Sequence, residues 1–407
     1  MRFLFCSLET PGFLYPAVSI AQQLRSRGHD VAFVADAKCS ELLLAHNLNR
    51  IQRGANDGSS FQVALWAKPL SVAIQVKYIE YALGSFSADV LVGQSLTLGP
   101  LLVAQKHQLP VGVLGFCTYL WPFDDTTCVG RERTELEAGA ARIRWRHSDM
   151  VRILNQAREL FRLPPYEGGC RETPLLGDLF LVRSVPELEI DIARLPRRVH
   201  LVGSCLWEPD DRDPEIELWL REAKSRRVPV VYVQHGRFFH IPSFWPRLVE
   251  ALGGLNCWVA ASSGRLDAEV VPMPEGSLVR PHLPQGQILR EASAVVASAN
   301  TTAFLGALEA GVPSLLIPGG GEQPDVAELA ERAGVAKCLS PEDATPAAIC
   351  ESIQELLMTK SYQQRAENYR SAFSKINGSE LAANLLERLA ATKNPVLRPE
   401  DSIHERE

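Results

Sequence analysis

Short apolar runs rich in Val, Ile, Leu and Phe alternate with longer stretches of helical spacing along most of the chain, and the alternation is set out twice. The first cycle is clear in the opening segment. Residues 2–6 read as a strand, Pro11 and Gly12 mark a turn, 16–27 carry apolar positions at helical spacing until Gly28, and 31–35 read as a second strand. Such a βαβ unit requires parallel strands and a right-handed crossover. Further strands are expected at 89–92, 111–116, 178–182 and 200–202, with helices at 98–107 and 133–161.

The pattern breaks after Gly203, where 205–217 is rich in acid and proline and poor in periodicity. It then restarts, with strands expected at 228–233, 257–261, 278–280, 294–298 and 314–317 and closing helices at 346–358, 362–373 and 380–392. A chain of 407 residues exceeds the roughly 250 to 300 at which single cores stop growing. The expected fold class is therefore α/β, with two Rossmann-like, doubly wound domains. An N-terminal domain over 1–204, a linker over 205–226 and a C-terminal domain over 227–392 are expected, with 393–407 a frayed tail. The last helix is a candidate to return to the N-terminal domain.

Charge narrows the partners. Forty-two basic against 48 acidic side chains give a net charge of −6, which argues against a phosphate-backbone footprint and so against nucleic acid. The basic stretch at 142–152 reads as a solvated helix face. The opening residues lack the apolar region of a signal peptide, and no run reaches the roughly 18 apolar residues of a spanning helix, so a cytoplasmic protein without membrane contact is expected. The nine cysteines are scattered with no C-x-x-C pair, which supports neither a disulfide framework nor a zinc site. A homodimer is left open.

Ligands of open parallel sheets bind beyond the carboxyl ends of the strands, at helix N-termini. After the strand expected at 294–298, Asn300, Thr301 and Thr302 open a helix and offer amides, hydroxyls and a carboxamide for a diphosphate. Simple helix capping explains them equally well. The next strand exit has Pro318, three glycines from Gly319 to Gly321, then Glu322 and Gln323, a pair suited to sugar hydroxyls. Two adjacent polar exits favour a ligand.

The stretch from Leu283 to Ala327 resembles the donor-binding signature of family 1 glycosyltransferases, the group of bacterial natural-product and UDP-glucosyl and glucuronosyl transferases with the GT-B fold. Pro284 and Gln285 with Ile288 and Leu289 match the family's Pro-Gln-x-x-x-Leu, whose backbone holds the donor base in family members. Ala307-Leu308, Gly311-Val312-Pro313 and Pro318 fall at family spacing, and Glu322-Gln323 stands where the family has Asp-Gln on the donor sugar. The resemblance implies donor contacts at Leu283, Gln285, Ser298, Asn300, Thr301, Thr302, Glu322 and Gln323. It implies two domains facing a cleft, transfer from a UDP- or TDP-sugar, inversion, and no metal. No cofactor is expected beyond the nucleotide-sugar co-substrate.

Departures from the family pattern carry as much information. His-Gly-Gly is replaced by Ser298-Ala299-Asn300, and the family's Thr and Glu further along that helix align with Ala303 and Gly306. Arg237, after Gln234, His235 and Gly236, is a candidate for the lost phosphate contact, since an arginine fork matches phosphate oxygens. The family's Gly-His-x-x-Pro is Gly12-Phe13-Leu14-Tyr15-Pro16, and phenylalanine takes no proton.

Replacement bases are sought at Glu9 and Asp124, with Asp57, Asp125 and His235 behind them; an acceptor needing no base, such as a carbon nucleophile, is the other explanation. Phe13, Tyr15, Phe116, Tyr119, Trp121 and Phe123 are candidates for an apolar or aromatic acceptor site, and equally for core. Two rival readings are a non-catalytic nucleotide-sugar-binding auxiliary subunit and a nucleotide-sugar epimerase on the same fold.

Overall fold

The structure is a computed structural model. It describes residues 1–54, 57–123, 135–189, 192–210, 212–235, 241, 243–264 and 273–399, with the backbone alone at 135–138. Asp124, Asp125 and Arg237 lie outside the described residues.

The chain divides into two compact units: Met1–Trp207 with Asn377–Glu407, and Glu208–Ile376. The first unit carries seven strands, β1 (Arg2–Cys6), β2 (Asp30–Val34), β3 (Asn49–Arg50), β4 (Val90–Gln94), β5 (Val111–Leu114), β6 (Leu179–Val182) and β7 (Val199–Leu201). Their order in the sheet is β3-β2-β1-β4-β5-β6-β7, and every pairing is parallel. The second unit has β8 (Val230–Gln234), β9 (Trp258–Ser262), β10 (Leu278–Arg280), β11 (Ala292–Ala297), β12 (Ser314–Leu316) and β13 (Ala336–Cys338) in the parallel order β10-β9-β8-β11-β12-β13.

Both sheets are covered on both faces, which is why their strands read as unbroken apolar runs instead of alternating ones. In β1, Leu4 and Cys6 enter one core cluster while Phe3 and Phe5 enter the other. The C-terminal helix Gly378–Thr392 belongs to the first unit, burying Ala382, Ala383, Leu386 and Leu389 beside Phe3 and Leu114. Gly112 makes room for it, because a Cβ there would stand 2.8 Å from the Leu386 methyl.

Local signals set the helix ends. Asn300, Thr345 and Asn377 accept amide hydrogen bonds as N-caps of their helices. Gly311 ends helix Thr301–Ala310 in the left-handed region at φ 71°, returning its amide to Ala307 and Leu308. The stretch expected as a linker, 205–226, includes helix Pro214–Ser225, capped by Asp213 and rooted in the second unit. In the basic stretch at 142–152, Met150 is buried in the core and Val151 packs against it, while Arg152 pairs with Asp149.

Candidate functional site

Both sheets reverse direction once. The chain starts at β1 in the first unit and at β8 in the second, builds outward on one side, then crosses to the other through β4 and β11 respectively. The crevice at such a reversal is where open α/β sheets hold ligands.

In the second unit the strand registers align the exits. Ala297 is paired with Gln234 on one side and Leu316 on the other, so the loops beginning at His235, Ser298 and Ile317 start at one level. Ser298 is fully buried, and Ala299 is held at φ 60°, left-handed backbone that alanine rarely adopts. Asn300 caps the following helix through Oδ1 to the Ala303 amide at 3.0 Å. The capping reading of Asn300 therefore holds for its oxygen. The positive end of the helix dipole lies at the same end.

Gln323 is buried and turned back. Its Oε1 accepts from the Gly319 amide at 2.7 Å and the Gly320 amide at 3.3 Å, which shapes the glycine loop and leaves only Nε2 for a ligand. Glu322 begins that helix half-buried, without capping it through its side chain. Leu283 is a core residue whose amide donates to Ser262 Oγ at 3.0 Å. His235 lies flat on Phe244, with ring centroids 3.8 Å apart and 12° between planes. Gln234 Oε1 and Gln285 Oε1 are enclosed acceptors without a hydrogen-bond partner among the described residues. Orphaned buried acceptors of this kind call for an explanation, and a hydrogen-donating ligand supplies one.

In the first unit, Gln94 closes the crevice at the end of β4. Its Oε1 accepts from the Leu8 amide at 2.9 Å, and Nε2 donates to Ser7 Oγ at 3.0 Å and to the Phe13 carbonyl at 2.7 Å. Phe13 sits in the first turn of helix Pro11–Ser26, where Pro16 has no amide to give the Gly12 carbonyl. Glu9, half-buried between β1 and that helix, accepts from the Val63 amide through Oε2 at 2.8 Å. Burial raises its carboxyl above the ordinary range and nearby Asp36 adds to this, against the pull of the Val63 and Glu9 amides and of Lys38.

Asp57 is different. Its side chain is 4% exposed and pairs with Arg50 at 2.6 Å. Burial alone would raise its carboxyl, but bonds from the Arg53 and Gly54 amides, Arg50 and Tyr78 hold it below the usual range. Asp57 is thus held as the partner of Arg50 in a buried ion pair.

The aromatic candidates separate. Phe13 meets Phe116 edge-on at 5.6 Å, and Tyr119 lies 5.7 Å from Phe123. Phe116, Tyr119 and Trp121 are buried, so they form a layer behind the half-buried Phe13 and Phe123. Tyr15 packs in the other cluster of the unit, against Trp207 at 5.2 Å, because it stands two positions from Phe13 and so on another helix face. It does not join the other aromatics.

Glu208 was hidden in an acidic stretch. Its two oxygens accept the Gln285 amide at 3.0 Å and the Gly286 amide at 2.6 Å, a cap supplied from 77 residues earlier in the sequence. Among the described residues no group of three or more His, Cys, Asp or Glu is arranged to hold a metal ion, and no helix is long and apolar enough to cross a membrane. None of the described cysteines is joined in a disulfide.

No family model matches the chain. In sequence it is similar to 4'-demethylrebeccamycin synthase of Lentzea aerocolonigenes, 24% identical over 95% of this chain and 99% of that protein. It is likewise similar to the NDP-glycosyltransferase YjiC of Bacillus subtilis, 22% identical over 92% and 94%. In fold it matches the glycotransferase of kitacinnamycin with a TM-score of 0.74 at 19% identity, covering 95% of this chain and 98% of that one. The glycosyltransferase VinC, solved in complex with DTDP, matches with a TM-score of 0.70 at 17% identity over 96% and 100%. The chain has the GT-B fold of these natural-product glycosyltransferases and is an enzyme of the glycosyltransferase kind.

Proposed function

We propose that the chain moves a sugar from a nucleoside diphosphate donor, UDP- or TDP-linked, to a small apolar or aromatic natural-product acceptor, with inversion and without a metal ion. The observation that carries the donor half is the β8/β11 reversal, where the Asn300 helix start, the glycine loop and the enclosed Gln234 Oε1 meet at one level. The printed names of two similar proteins, an NDP-glycosyltransferase and one solved with DTDP, support the same donor class.

In this mechanism the acceptor nucleophile attacks the anomeric carbon as the bond from that carbon to the diphosphate oxygen breaks. The electron pair leaves with the diphosphate, whose charge is met by first-turn amides of helix Thr301–Ala310 and its dipole. Outside the described residues, Arg237 is the candidate for a further phosphate contact. The acceptor proton passes to Glu9, which takes over the work that Phe13 cannot perform. Phe13 and Phe123 offer the half-buried aromatic surface for the acceptor ring.

Acceptor-dependent release of UDP or TDP from the matching sugar nucleotide, measured over a panel of phenolic and polycyclic acceptors, tests this reading. Release should survive EDTA, and the product should carry the anomeric configuration opposite to that of the donor. Donor consumed to an isomer with no acceptor present would replace transfer by epimerisation.

A further inference from the structure

Cys170 and His147 form a thiol–imidazole pair in the first unit, with Sγ 3.8 Å from Nδ1. Two segments bring them together. His147, Val151 and Asn155 recur at four-residue spacing along one face of helix Glu135–Leu160. The chain after that helix is fastened back onto it: Asn155 accepts the Tyr166 amide at 2.8 Å and donates to the Tyr166 carbonyl at 3.0 Å, while Arg158 Nε donates to the Pro164 carbonyl at 2.7 Å. A groove of about 1210 Å³ opens at the pair between these two segments, and the half-buried Cys170 lies on its wall.

The aromatic layer lies behind the pair. Trp121 packs against the imidazole, with ring centroids 6.2 Å apart and 65° between planes. Tyr119 is 4% exposed, and its hydroxyl has no hydrogen-bond partner among the described residues. Burial pushes that hydroxyl upward in pKa and nearby Cys170 adds to it, so an uncommitted donor stands within electrostatic reach of the sulfur. Such a donor, and an imidazole able to hold the proton, both favour a thiolate. Other cysteines are placed differently: burial pushes the thiols of Cys39 and Cys338 up to about 12 and that of Cys257 up to about 11, which keeps them protonated near neutral pH.

We propose that Cys170 is a modification site, where His147 activates the thiol for exchange with a small disulfide of the amino-acid or peptide class. His147 Nδ1 takes the thiol proton, and the Cys170 sulfur attacks one sulfur of the disulfide. The new S–S bond forms as the old one breaks, and the electron pair leaves with the other sulfur, which takes the proton from the imidazolium. Cys170 is oxidised, the disulfide is the oxidant, and one small thiol is released. The groove wall suits a ligand carrying both charges. Glu159 meets an ammonium, and the exposed Arg162 meets a carboxylate, since Arg152 is tied to Asp149 and Gln156.

The reduced full chain, incubated with glutathione disulfide and mapped by mass spectrometry after digestion, tests this site. Cys170 should take up the mixed disulfide at least about tenfold faster than any other cysteine, with a rate that reaches its plateau below the ordinary thiol pKa of about 8.5. His147→Gln, checked for a native melting transition, should slow Cys170 at about pH 6.5 by at least about tenfold and return its pH profile to that of an ordinary thiol. Arg162→Ala should slow glutathione disulfide about threefold and leave the uncharged bis(2-hydroxyethyl) disulfide unaffected. Modification spread evenly over the cysteines, none at Cys170 in the folded chain, or a wild-type profile that titrates as an ordinary thiol overturns the inference. A wild-type rate and profile in His147→Gln overturns activation by His147, and an equal response to both disulfides in Arg162→Ala overturns the charge recognition.

Discussion

The Gln94 carboxamide donates to the carbonyl of Phe13 at 2.7 Å, joining the end of β4 to the first turn of helix Pro11–Ser26. The same side chain takes the Leu8 amide and gives a hydrogen to Ser7, so one buried residue fixes both sides of the β1 exit. The turn that carries Phe13 is thus built to a defined shape. Gln94→Leu, close in size, leaves the buried Leu8 amide without its acceptor and takes a donor from the Phe13 carbonyl. A loss of about 2 kcal/mol or more in urea unfolding is expected, with transfer activity falling alongside. A stability change within a few tenths of the wild type would mean that the loop does not depend on Gln94.

Glu9 separates chemistry from structure through its pH dependence. Its carboxyl is raised in the folded chain, so the protonated form is favoured by folding. Its contribution to stability is greatest below the ordinary carboxylate pKa and is lost as pH rises through the raised value. Activity should run the opposite way, rising with pH as Glu9 ionises to become a base. Glu9→Gln should lower kcat by about 10² to 10⁴ and abolish that acidic limb. A Glu9→Gln enzyme with wild-type kcat and an unaltered pH profile would assign the proton to another group.

Asp57 gives the contrasting case. Its carboxyl is lowered by Arg50, Tyr78 and backbone amides despite burial, so its stabilisation is present above the ordinary carboxylate pKa and lost as pH falls through the lowered value. Asp57→Ala leaves Arg50 buried without its partner and should cost about 3 to 5 kcal/mol. Thermal melts from pH 7 down to pH 3 should show the wild type approaching the variant. A variant as stable as the wild type at pH 7 would remove the structural role.

The architecture was legible because β1, β4, β8 and β11 are buried on both faces and leave continuous apolar runs, while Gly28 and Gly311 mark helix ends locally. Helix Pro69–Ser85 gave a weaker signal: it is apolar nearly all round, with Leu70 and Tyr81 facing water and Val72, Val76 and Ile79 in the core. Strand β3 is only two residues long. Asn300 and the glycine loop could be found because helix starts are local features. Gln94 and Glu208 could not, since their partners are brought to them only by the fold: Leu8 is 86 residues from Gln94, and Gln285 is 77 from Glu208. The division of the aromatics between two clusters, with Tyr15 beside Trp207, depends on which helix face meets which layer, and composition carries no record of that.

Asn300 allows binding to be separated from stability. Asn300→Ala removes the cap and should cost about 1 kcal/mol. Asn300→Asp keeps the capping oxygen and adds a negative charge where the diphosphate would sit, so stability should hold while nucleotide affinity falls at least about tenfold. Equal loss of stability and affinity in both variants would leave Asn300 as a cap alone.

Thermal unfolding of the wild-type chain with UDP, TDP, GDP, ADP and NAD tests the donor site most directly. A ligand at a hundred times its dissociation constant adds about 2.7 kcal/mol, enough for a clear rise in Tm. A rise with TDP or UDP and none with ADP, GDP or NAD is the expected result. No shift with either pyrimidine nucleotide, in a sample that melts cooperatively, would contradict a nucleotide-sugar site at the β8/β11 reversal.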